Sequence, residues 1–240
     1  MTDAPAAVTD LYYHPDAQAI AQPFAGVFRL ECRDAAPRDH PGFHLWAVDD
    51  HLELRRGDAR HGAWVPAAEV ARRAAQGGAL RRACLARDSR PTLLDAMAGW
   101  GVDGLVLAAA GAAVTQVERH PALWALAQDL ARRHGSAIRT RCADAFVVLS
   151  GPEQWDVVYL DPMFPVRGKA ALPGKRMQWT AELTAADPRP LADWLDAARR
   201  RARDRVVLKR RRKDPSVGTP DWQIVGTTVR YDVYRGRAAR

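Results

Sequence analysis

The stretch VVYLDPMFPVRGK, residues 157–169, places a carboxylate, two prolines and an aromatic ring in one short turn. The residues before Asp161 are apolar and β-branched, which predicts a buried strand that ends just before this acid. Pro162 and Pro165 restrict the backbone and remove two N–H donors, so we expect a stiff turn with carbonyl oxygens that face outward. Together with the ring of Phe164, these groups could hold a planar base by its exocyclic amine.

Such an amine is a poor nucleophile because its lone pair is delocalised into the ring. Hydrogen bonds to the Asp161 carboxylate and the Pro162 carbonyl would orient the lone pair toward an electrophilic methyl group. Stacking on Phe164 would fix the ring and is worth ~1–3 kcal/mol per base. Since methyl transfer from a sulfonium is intrinsically favourable, positioning can supply much of the acceleration. We therefore predict catalytic roles for Asp161, Pro162 and Phe164; the alternative is a rigid turn whose phenylalanine covers the core.

A glycine-rich turn lies upstream of this loop. The stretch DAMAGWGVDG contains Gly99, Gly101 and Gly104 after a predicted strand and at the start of a predicted helix. Small residues let the backbone approach a ligand, and a helix N-terminus offers unpaired N–H groups. The next strand ends at Glu118, whose carboxylate could accept hydrogen bonds from both hydroxyls of a ribose. These features alone fit either NAD or S-adenosylmethionine (SAM), with a purely structural tight turn as the bland alternative.

Three more acids favour SAM. Asp95 lies four residues before Gly99, an arrangement that methyltransferases use around the methionine end of the cofactor. Asp103, in the first turn of the helix, would repel a pyrophosphate but would suit the ammonium group or a ribose of SAM; its alternative role is a helix cap. Asp144, after the third strand, could accept the adenine amine or could cap the next helix.

These residues require a scaffold that brings several strand ends to one edge. From Thr92 onward, strands alternate with helices, which predicts an α/β fold with a mostly parallel, doubly wound sheet. The segment 222–235 predicts an antiparallel hairpin joined at Gly226, a terminal feature typical of class I (Rossmann-like) methyltransferases. The predicted strands are 92–96, 113–118, 137–142, 155–160 and 205–209, and the predicted helices are 103–110, 121–133 and 190–203.

The first part of the chain has a different pattern. Strand-like runs at 24–32 and 43–55 alternate with turn residues, and a helix is predicted at 66–75. Residues 76–78 form a plausible joint. We therefore expect a small N-terminal α+β subdomain over residues 1–80 and a methyltransferase domain over residues 81–240.

The sequence resembles the RsmJ family in LLDAMAGWGVDGLVLAAAGAAVTQVERHP, VVYLDPMFP and RVVLKR, across roughly residues 92–235. The resemblance implies a bacterial enzyme that transfers a methyl group from SAM to the 2-amino group of a guanine in small-subunit (16S) ribosomal RNA. By matching position it also implies a cofactor site. Its residues, together with those of the glycine turn, would be Asp95, Gly99, Gly101, Val102, Asp103, Glu118, Arg119, Ala143, Asp144 and Asp161. The sequence departs from the family pattern at Val102, where an arginine is common, and at Ala143–Asp144, where small hydroxyl residues are usual.

The charge of the chain also points to a polyanionic partner. Its 36 basic and 28 acidic residues give a net charge of +8. Ten basic residues and one acid lie between Arg199 and Lys213, and the later part of this run should reach the same edge as Asp161. We predict that RNA phosphates are bound by Arg167, Lys169, Lys209, Arg210, Arg211 and Arg212. The expected partner is small-subunit ribosomal RNA or the assembled 30S subunit.

The cysteines and the hydropathy of the chain limit which classes of protein remain possible. Cys32, Cys84 and Cys142 lack metal-site spacing, which argues against zinc and fits a reducing cytoplasm. We expect no membrane association, since no apolar run approaches the ~18 residues of a span and the N-terminus lacks the pattern of a secretory signal. The alternatives are an amino-methyltransferase that acts on DNA or on protein glutamine, a non-catalytic RNA-binding protein with a vestigial cofactor fold, and, more distantly, a dehydrogenase.

Overall fold

A computed structural model describes residues 7–57, 59–76, 78–86, 89–163, 174–184 and 187–238, which form two sheets with helices packed against them. The larger sheet contains β5 (Thr92–Asp95), β6 (Ala113–Glu118), β7 (Arg139–Cys142), β8 (Trp155–Leu160), β9 (Ala202–Arg211), β10 (Trp222–Val225) and β11 (Val229–Arg235). The strand order is β10-β11-β9-β8-β5-β6-β7. The five strands from β7 to β9 are parallel, whereas β11 runs antiparallel to β9 and to β10. The prediction of an α/β fold with a terminal antiparallel hairpin is confirmed.

The helices of this part connect successive strands. They are α4 (Val102–Ala109), α5 (Pro121–Arg133), α6 (Ala145–Ser150), α7 (Lys175–Leu183) and α8 (Leu191–Arg201). Proline at the first turn favours the start of α5, because its missing N–H would have no helical partner there. Apolar residues on both faces of the parallel strands are covered by these helices, which produces two core clusters on opposite sides of the sheet.

The N-terminal sheet has the order β2-β1-β3-β4. Its strands are β1 (Asp10–Tyr13), β2 (Arg29–Cys32), β3 (Phe43–Val48) and β4 (His51–Arg56), and α1 (Gln18–Ala21) lies between two short 3-10 helices. The core of this sheet is continuous with Leu123 and Leu126 of α5 and with Trp179 of α7. The Asp129 carboxylate of α5 also accepts a hydrogen bond from the Leu52 amide at 3.0 Å, so the two parts share a packed interface.

The predicted elements differ from the structure mainly in the N-terminal part. The run 24–32 contributes only the strand β2, since residues 25–28 form a turn, and the run 43–55 divides into β3 and β4 around Asp49, whose φ is +52°. The predicted helix at 66–75 corresponds to α2 (Ala67–Gln76). The chain then continues as α3 (Gly78–Cys84), so the proposed division after residue 80 would cut a helix.

In the larger sheet, the predicted boundaries are close to those observed. The main exception is β9, which begins at Ala202, three residues before the predicted strand, because α8 ends at Arg201. Strand β1 and helices α1, α3 and α7 were not predicted. Within the described ranges, none of the helices has the length and apolar character that a bilayer span requires.

Candidate active site

The predicted acids converge because the parallel strands end at one edge of the larger sheet, here called the carboxyl edge. Asp95 closes β5, Glu118 closes β6 and Asp161 follows β8. The ladder pairs Asp95 with Gln116 and with Tyr159, which places these side chains side by side on one face of the sheet. This edge is where ligands bind in open α/β folds.

The glycine turn is tied directly to Glu118. The Gly99 amide donates to Glu118 Oε2 at 2.9 Å, and the His120 amide donates to Glu118 Oε1 at 2.8 Å. Burial raises the pKa of Glu118, while the two amide hydrogen bonds oppose that shift. The acid and the turn therefore form one unit, and the carboxylate retains lone pairs that could accept hydroxyl groups.

Glycine is required at two positions of the turn by its backbone. Gly99 has φ of +53° and Gly101 has φ of +80°, in the left-handed region that side chains disfavour. A Cβ on Gly101 would lie 2.9 Å from the Ala127 Cβ, so this residue lets the turn pack closely on α5. A Cβ on Gly99 would meet nothing within 4 Å, so this residue borders open space at the carboxyl edge.

Asp95 and Gln116 form a buried polar pair beneath the turn. Gln116 Nε2 donates to Asp95 Oδ2 at 3.2 Å and to the Gly101 carbonyl at 2.9 Å. Burial raises the pKa of Asp95 to about 7, and the nearby Asp103 charge adds to the shift. Asp95 Oδ1 and Gln116 Oε1 are buried and have no hydrogen-bond partner among the described residues.

Asp103 lies at the centre of a network of charged and polar side chains. Its Oδ1 accepts a hydrogen bond from Arg73 at 2.7 Å, and its Oδ2 accepts hydrogen bonds from Tyr159 Oη at 2.9 Å and from Lys209 Nζ at 3.0 Å. Lys209 Nζ also donates to Asp161 Oδ2 at 2.7 Å. Gly101 occupies the N-cap position of α4, and the hydrogen bonds given above direct the Asp103 carboxylate toward Arg73, Tyr159 and Lys209.

The two acids that flank Lys209 respond differently to burial. Burial would raise the pKa of Asp103, but the charges of Lys209 and Arg73 outweigh it and hold this pKa at about 2. Burial raises the pKa of Asp161, and Lys209 opposes that shift only in part. Asp103 is therefore firmly ionised, whereas Asp161 has Lys209 as its main counter-charge, with a smaller contribution from Arg73.

Asp144 caps α6, which was one of the two roles expected for it. Its Oδ1 accepts a hydrogen bond from the Phe146 amide at 2.7 Å, and its Oδ2 accepts one from Arg189 at 2.7 Å. Arg119, beside it at the carboxyl edge, pairs with Asp187 at 3.1 Å, and Arg189 also contacts Asp187. The adenine contact of Asp144 stays a prediction. Val102 and Ala143 lie half-buried at the start of α4 and after β7, respectively.

The basic residues predicted to bind RNA lie in different environments. The Lys209 side chain is 15% exposed and pairs with two acids, and Arg210 is buried and donates to the Pro215 carbonyl at 2.9 Å. Both side chains are thus engaged by partners within the protein, and their contact with RNA phosphates stays a prediction. Arg211 is half-buried and Arg212 is exposed. Phe164, Arg167 and Lys169 lie outside the described residues, as does Pro165.

Several site residues were not identified from the sequence. Gln116 and Tyr159 lie on predicted strands, and the only signal for Gln116 is an amide in an otherwise apolar run. Arg73 and Arg189 come from α2 and from the segment before α8. Nothing in their local sequence indicates a contact with Asp103 or Asp144.

The site fits SAM. Gly99 leaves open space beside the turn, Glu118 can accept ribose hydroxyls, and buried acceptors of Asp95 and Gln116 lie without partners nearby. An edge rich in carboxylates suits a cofactor that carries a sulfonium and an ammonium group. Asp103 already accepts three hydrogen bonds, so its proposed cofactor contact would have to use the remaining acceptor site on Oδ1.

Comparisons with known proteins agree with this description. Residues 30–236 match the family described as "Putative SAM-dependent methyltransferase". The ribosomal RNA small subunit methyltransferase J of Legionella pneumophila is 37% identical over 167 residues, which cover 64% of this chain and 68% of that protein. The protein of the same name from Thioalkalivibrio sulfidiphilus is 40% identical over 172 residues, covering 65% of this chain and 66% of its own length.

Solved structures support the fold. A SAM-dependent methyltransferase from Neisseria gonorrhoeae superposes with a TM-score of 0.72 at 27% identity, over 96% of this chain and 97% of its own. The 16S rRNA N2 G1207 methyltransferase of Thermus thermophilus, solved with AdoMet and guanosine, has a TM-score of 0.51 at 14% identity, over 88% of this chain and 54% of its own, and shows the likeness of fold alone. By sequence and fold, the chain belongs to the SAM-dependent methyltransferases and, among them, to the ribosomal RNA small subunit methyltransferase J (RsmJ) family.

Proposed function

We propose that this protein transfers the methyl group of SAM to the N2 amine of a guanine in 16S ribosomal RNA. The observation that carries this proposal is the position of Asp161. Its carboxylate follows β8 at the carboxyl edge, next to the β5 end from which the glycine turn departs. The names of the curated relatives support small-subunit ribosomal RNA as the substrate.

The cofactor would be held by the residues around the glycine turn. SAM supplies an electrophilic methyl group on a sulfonium. Glu118 would accept the ribose hydroxyls, while Gly99 and Gly101 provide the close backbone approach and Asp95 lies toward the methionine end. Val102, Arg119, Ala143 and Asp144 would complete the wall around the ribose and adenine. The proposed ribose contact of Glu118 is supported by its hydrogen bond with the Gly99 amide, which joins the acid to the turn.

The target amine would be oriented by Asp161 and by the carbonyl of Pro162. Each accepts one N–H, which directs the nitrogen lone pair at the methyl group. The amine would gain the methyl group and lose one N–H proton, and the Asp161 carboxylate, which that N–H already faces, would be its acceptor. We also propose that the guanine ring stacks on Phe164, and this part of the proposal rests on the sequence alone. Proximity and orientation of this kind can account for much of an enzymatic rate.

The RNA backbone would be bound on the basic surface at the carboxyl edge. Arg211 and Arg212 at the end of β9 are the described members, and Arg167 and Lys169 are proposed from the sequence. The net charge of +8 supports a polyanionic partner. The substrate would be either free small-subunit RNA or the assembled 30S subunit, in the cytoplasm, and the exocyclic amine must be unpaired or flipped to reach the site.

The decisive variant is Asp161→Ala. It removes the carboxylate acceptor, so methyl transfer should fall at least about 10³-fold, while SAM binding changes little. Asp161→Asn is the matched comparison, since its amide oxygen can still accept one N–H and should retain part of the activity.

The measurement is nucleoside mass spectrometry of 16S rRNA from cells that lack the protein, complemented with each form. We expect N2-methylguanine at one site to disappear in the deletion strain and to return with the wild type but not with Asp161→Ala. Full modification by Asp161→Ala would eliminate the role of Asp161, and an unchanged methylation map in the deletion strain would eliminate the substrate. Incubation of purified enzyme with free RNA and with 30S subunits separates the two forms of substrate.

A further inference from the structure

Lys209 lies in an unusual environment for a lysine in a basic stretch. Its side chain is only 15% exposed, and its ammonium lies between two carboxylates, 2.7 Å from Asp161 Oδ2 and 3.0 Å from Asp103 Oδ2. Lysine is strongly hydrated, and its burial is favourable only with such partners. Lys209 is therefore part of the active-site network and not of the phosphate-binding surface.

The sheet determines which acid Lys209 meets. Strands β8 and β9 are parallel neighbours, and their ladder pairs Tyr159 with Val207 and Leu160 with Leu208. Asp161 and Lys209 are the next residues of the two strands on the face that carries Tyr159. The contact thus joins the residue that follows β8 to a residue within β9, and the backbone hydrogen bonds between the two strands hold these positions side by side.

The acid on the other side of Lys209 anchors the ammonium. Asp103 is fixed by Arg73 at 2.7 Å and by Tyr159 at 2.9 Å, in addition to Lys209. Asp161 lacks comparable support, because Lys209 is its only hydrogen-bonding partner among the described residues, and it contacts Oδ2 alone. Oδ1 is thus the oxygen left for a substrate.

We propose that Lys209 is a positioning residue for methyl transfer, which holds the Asp161 carboxylate ionised and oriented so that Oδ1 accepts the N–H of the target amine. This inference rests on the proposed function of Asp161. It assigns Lys209 a role in turnover, not in RNA affinity. A purely structural ion pair would instead affect folding stability and leave turnover by the folded enzyme unchanged.

The test is Lys209→Met, which keeps the length of the side chain and removes its charge. We expect kcat to fall about 10²-fold or more, while KM for RNA and the Kd for SAM stay within about threefold of wild type. The pH profile should also change. Activity needs ionised Asp161 and is lost as the pH falls through its pKa, so loss of the neighbouring cation should move the acid limb upward by about 1–3 pH units.

Two further variants complete this test. Lys209→Arg keeps the positive charge, so its kcat should be at least about tenfold higher than that of Lys209→Met. Lys175→Met is the matched control, because it removes a lysine at the exposed start of α7, where the ammonium contacts the His61 carbonyl and the Trp179 ring. It should leave kcat and the acid limb unchanged.

The double variant Asp161→Asn with Lys209→Met covers the case in which Lys209→Met alone does not fold, since it also removes the unpaired acid. If Lys209 acts through Asp161, this double variant should have nearly the kcat of Asp161→Asn alone. Additive losses, an unchanged kcat in folded Lys209→Met, or a rise in KM for RNA with a weaker salt dependence would each overturn the inference. Wild-type enzyme that fails to methylate 16S rRNA would instead refute the proposed function.

Discussion

At the scale of single residues, the active-site acids divide into two classes according to their neighbours. Asp103 faces two cations and a tyrosine hydroxyl, and its pKa lies at about 2. Asp95 is more deeply buried and has an amide as its neighbour, and burial raises its pKa to about 7. Asp95 can therefore be neutral near physiological pH, where Asp103 is charged. A cationic cofactor brought close to Asp95 would favour the ionised form and so couple cofactor binding to proton release.

Glu118 provides a direct test of the cofactor site at this scale. Glu118→Ala should weaken SAM binding about 10–100-fold, because a charged acceptor for ribose hydroxyls is worth about 1.5–3 kcal/mol. Isothermal titration calorimetry with SAM measures the effect. The control is Glu153→Ala, which removes an exposed acid paired with Arg141 and should leave the Kd unchanged. An unaltered Kd in folded Glu118→Ala would refute the ribose role.

At the scale of elements, the unit formed by β5, the glycine turn and α4 explains why each glycine is needed for a different reason. Gly104 lies on α4 above the polar pair, where an added Cβ would be 2.8 Å from Asp95 Oδ2 and closer still to Gln116 Nε2. At Gly99 the added atom would enter open space, with strain confined to a φ of +53°. Gly104 is therefore needed for packing, whereas Gly99 borders the proposed cofactor space.

The two alanine variants should separate these roles. Gly104→Ala should lower the free energy of unfolding by about 1–3 kcal/mol, because the buried pair must shift. Gly99→Ala should cost about 1 kcal/mol in stability but should reduce SAM affinity at least about tenfold. Urea denaturation and calorimetry on both proteins make the comparison. If Gly99→Ala bound SAM as tightly as wild type, the cofactor would have to lie elsewhere along the edge.

At the scale of the whole molecule, the N-terminal part and the larger sheet share one active-site network. Arg73 of α2 pairs with Asp103 of α4, and Arg176 of α7 pairs with Glu69 of α2, each at 2.7 Å. The N-terminal part therefore contributes to the electrostatics of the site. The basic residues at the end of β9 add positive charge at the carboxyl edge, outside this network.

The RNA-binding surface can be tested with two double variants at opposite edges of the larger sheet. Arg211→Ala with Arg212→Ala should weaken RNA binding and reduce the slope of log affinity against log salt by about 1.5, since each phosphate contact contributes about 0.7–0.9. Arg203→Ala with Arg235→Ala removes the same charge at the opposite edge of the sheet and should change the slope little. Equal effects of both pairs would mean that net charge, and not this surface, controls binding.

Local patterns in the sequence were sufficient for most of the larger sheet. The alternation of strands and helices, the glycine turn and the acid at the end of β6 depend on residues that are close in the chain, and the structure places them as predicted. The position of Asp161 after a buried strand follows from the same local pattern. In the N-terminal part, β1 is only four residues long and pairs with two distant strands, so no local pattern identifies it.

The sequence by itself determined the fold class, the cofactor turn and the acids of the carboxyl edge, because periodicity and turn chemistry are local properties. Only the tertiary structure decided the partners of those acids. Lys209 and Arg210 are adjacent in a basic run, yet successive residues of β9 point to opposite faces, so one meets Asp161 and the other the Pro215 carbonyl. Arg73 reaches Asp103 from 30 positions away. Whether a charge lies in solvent or in a buried network depends on such long-range packing, which no local pattern encodes.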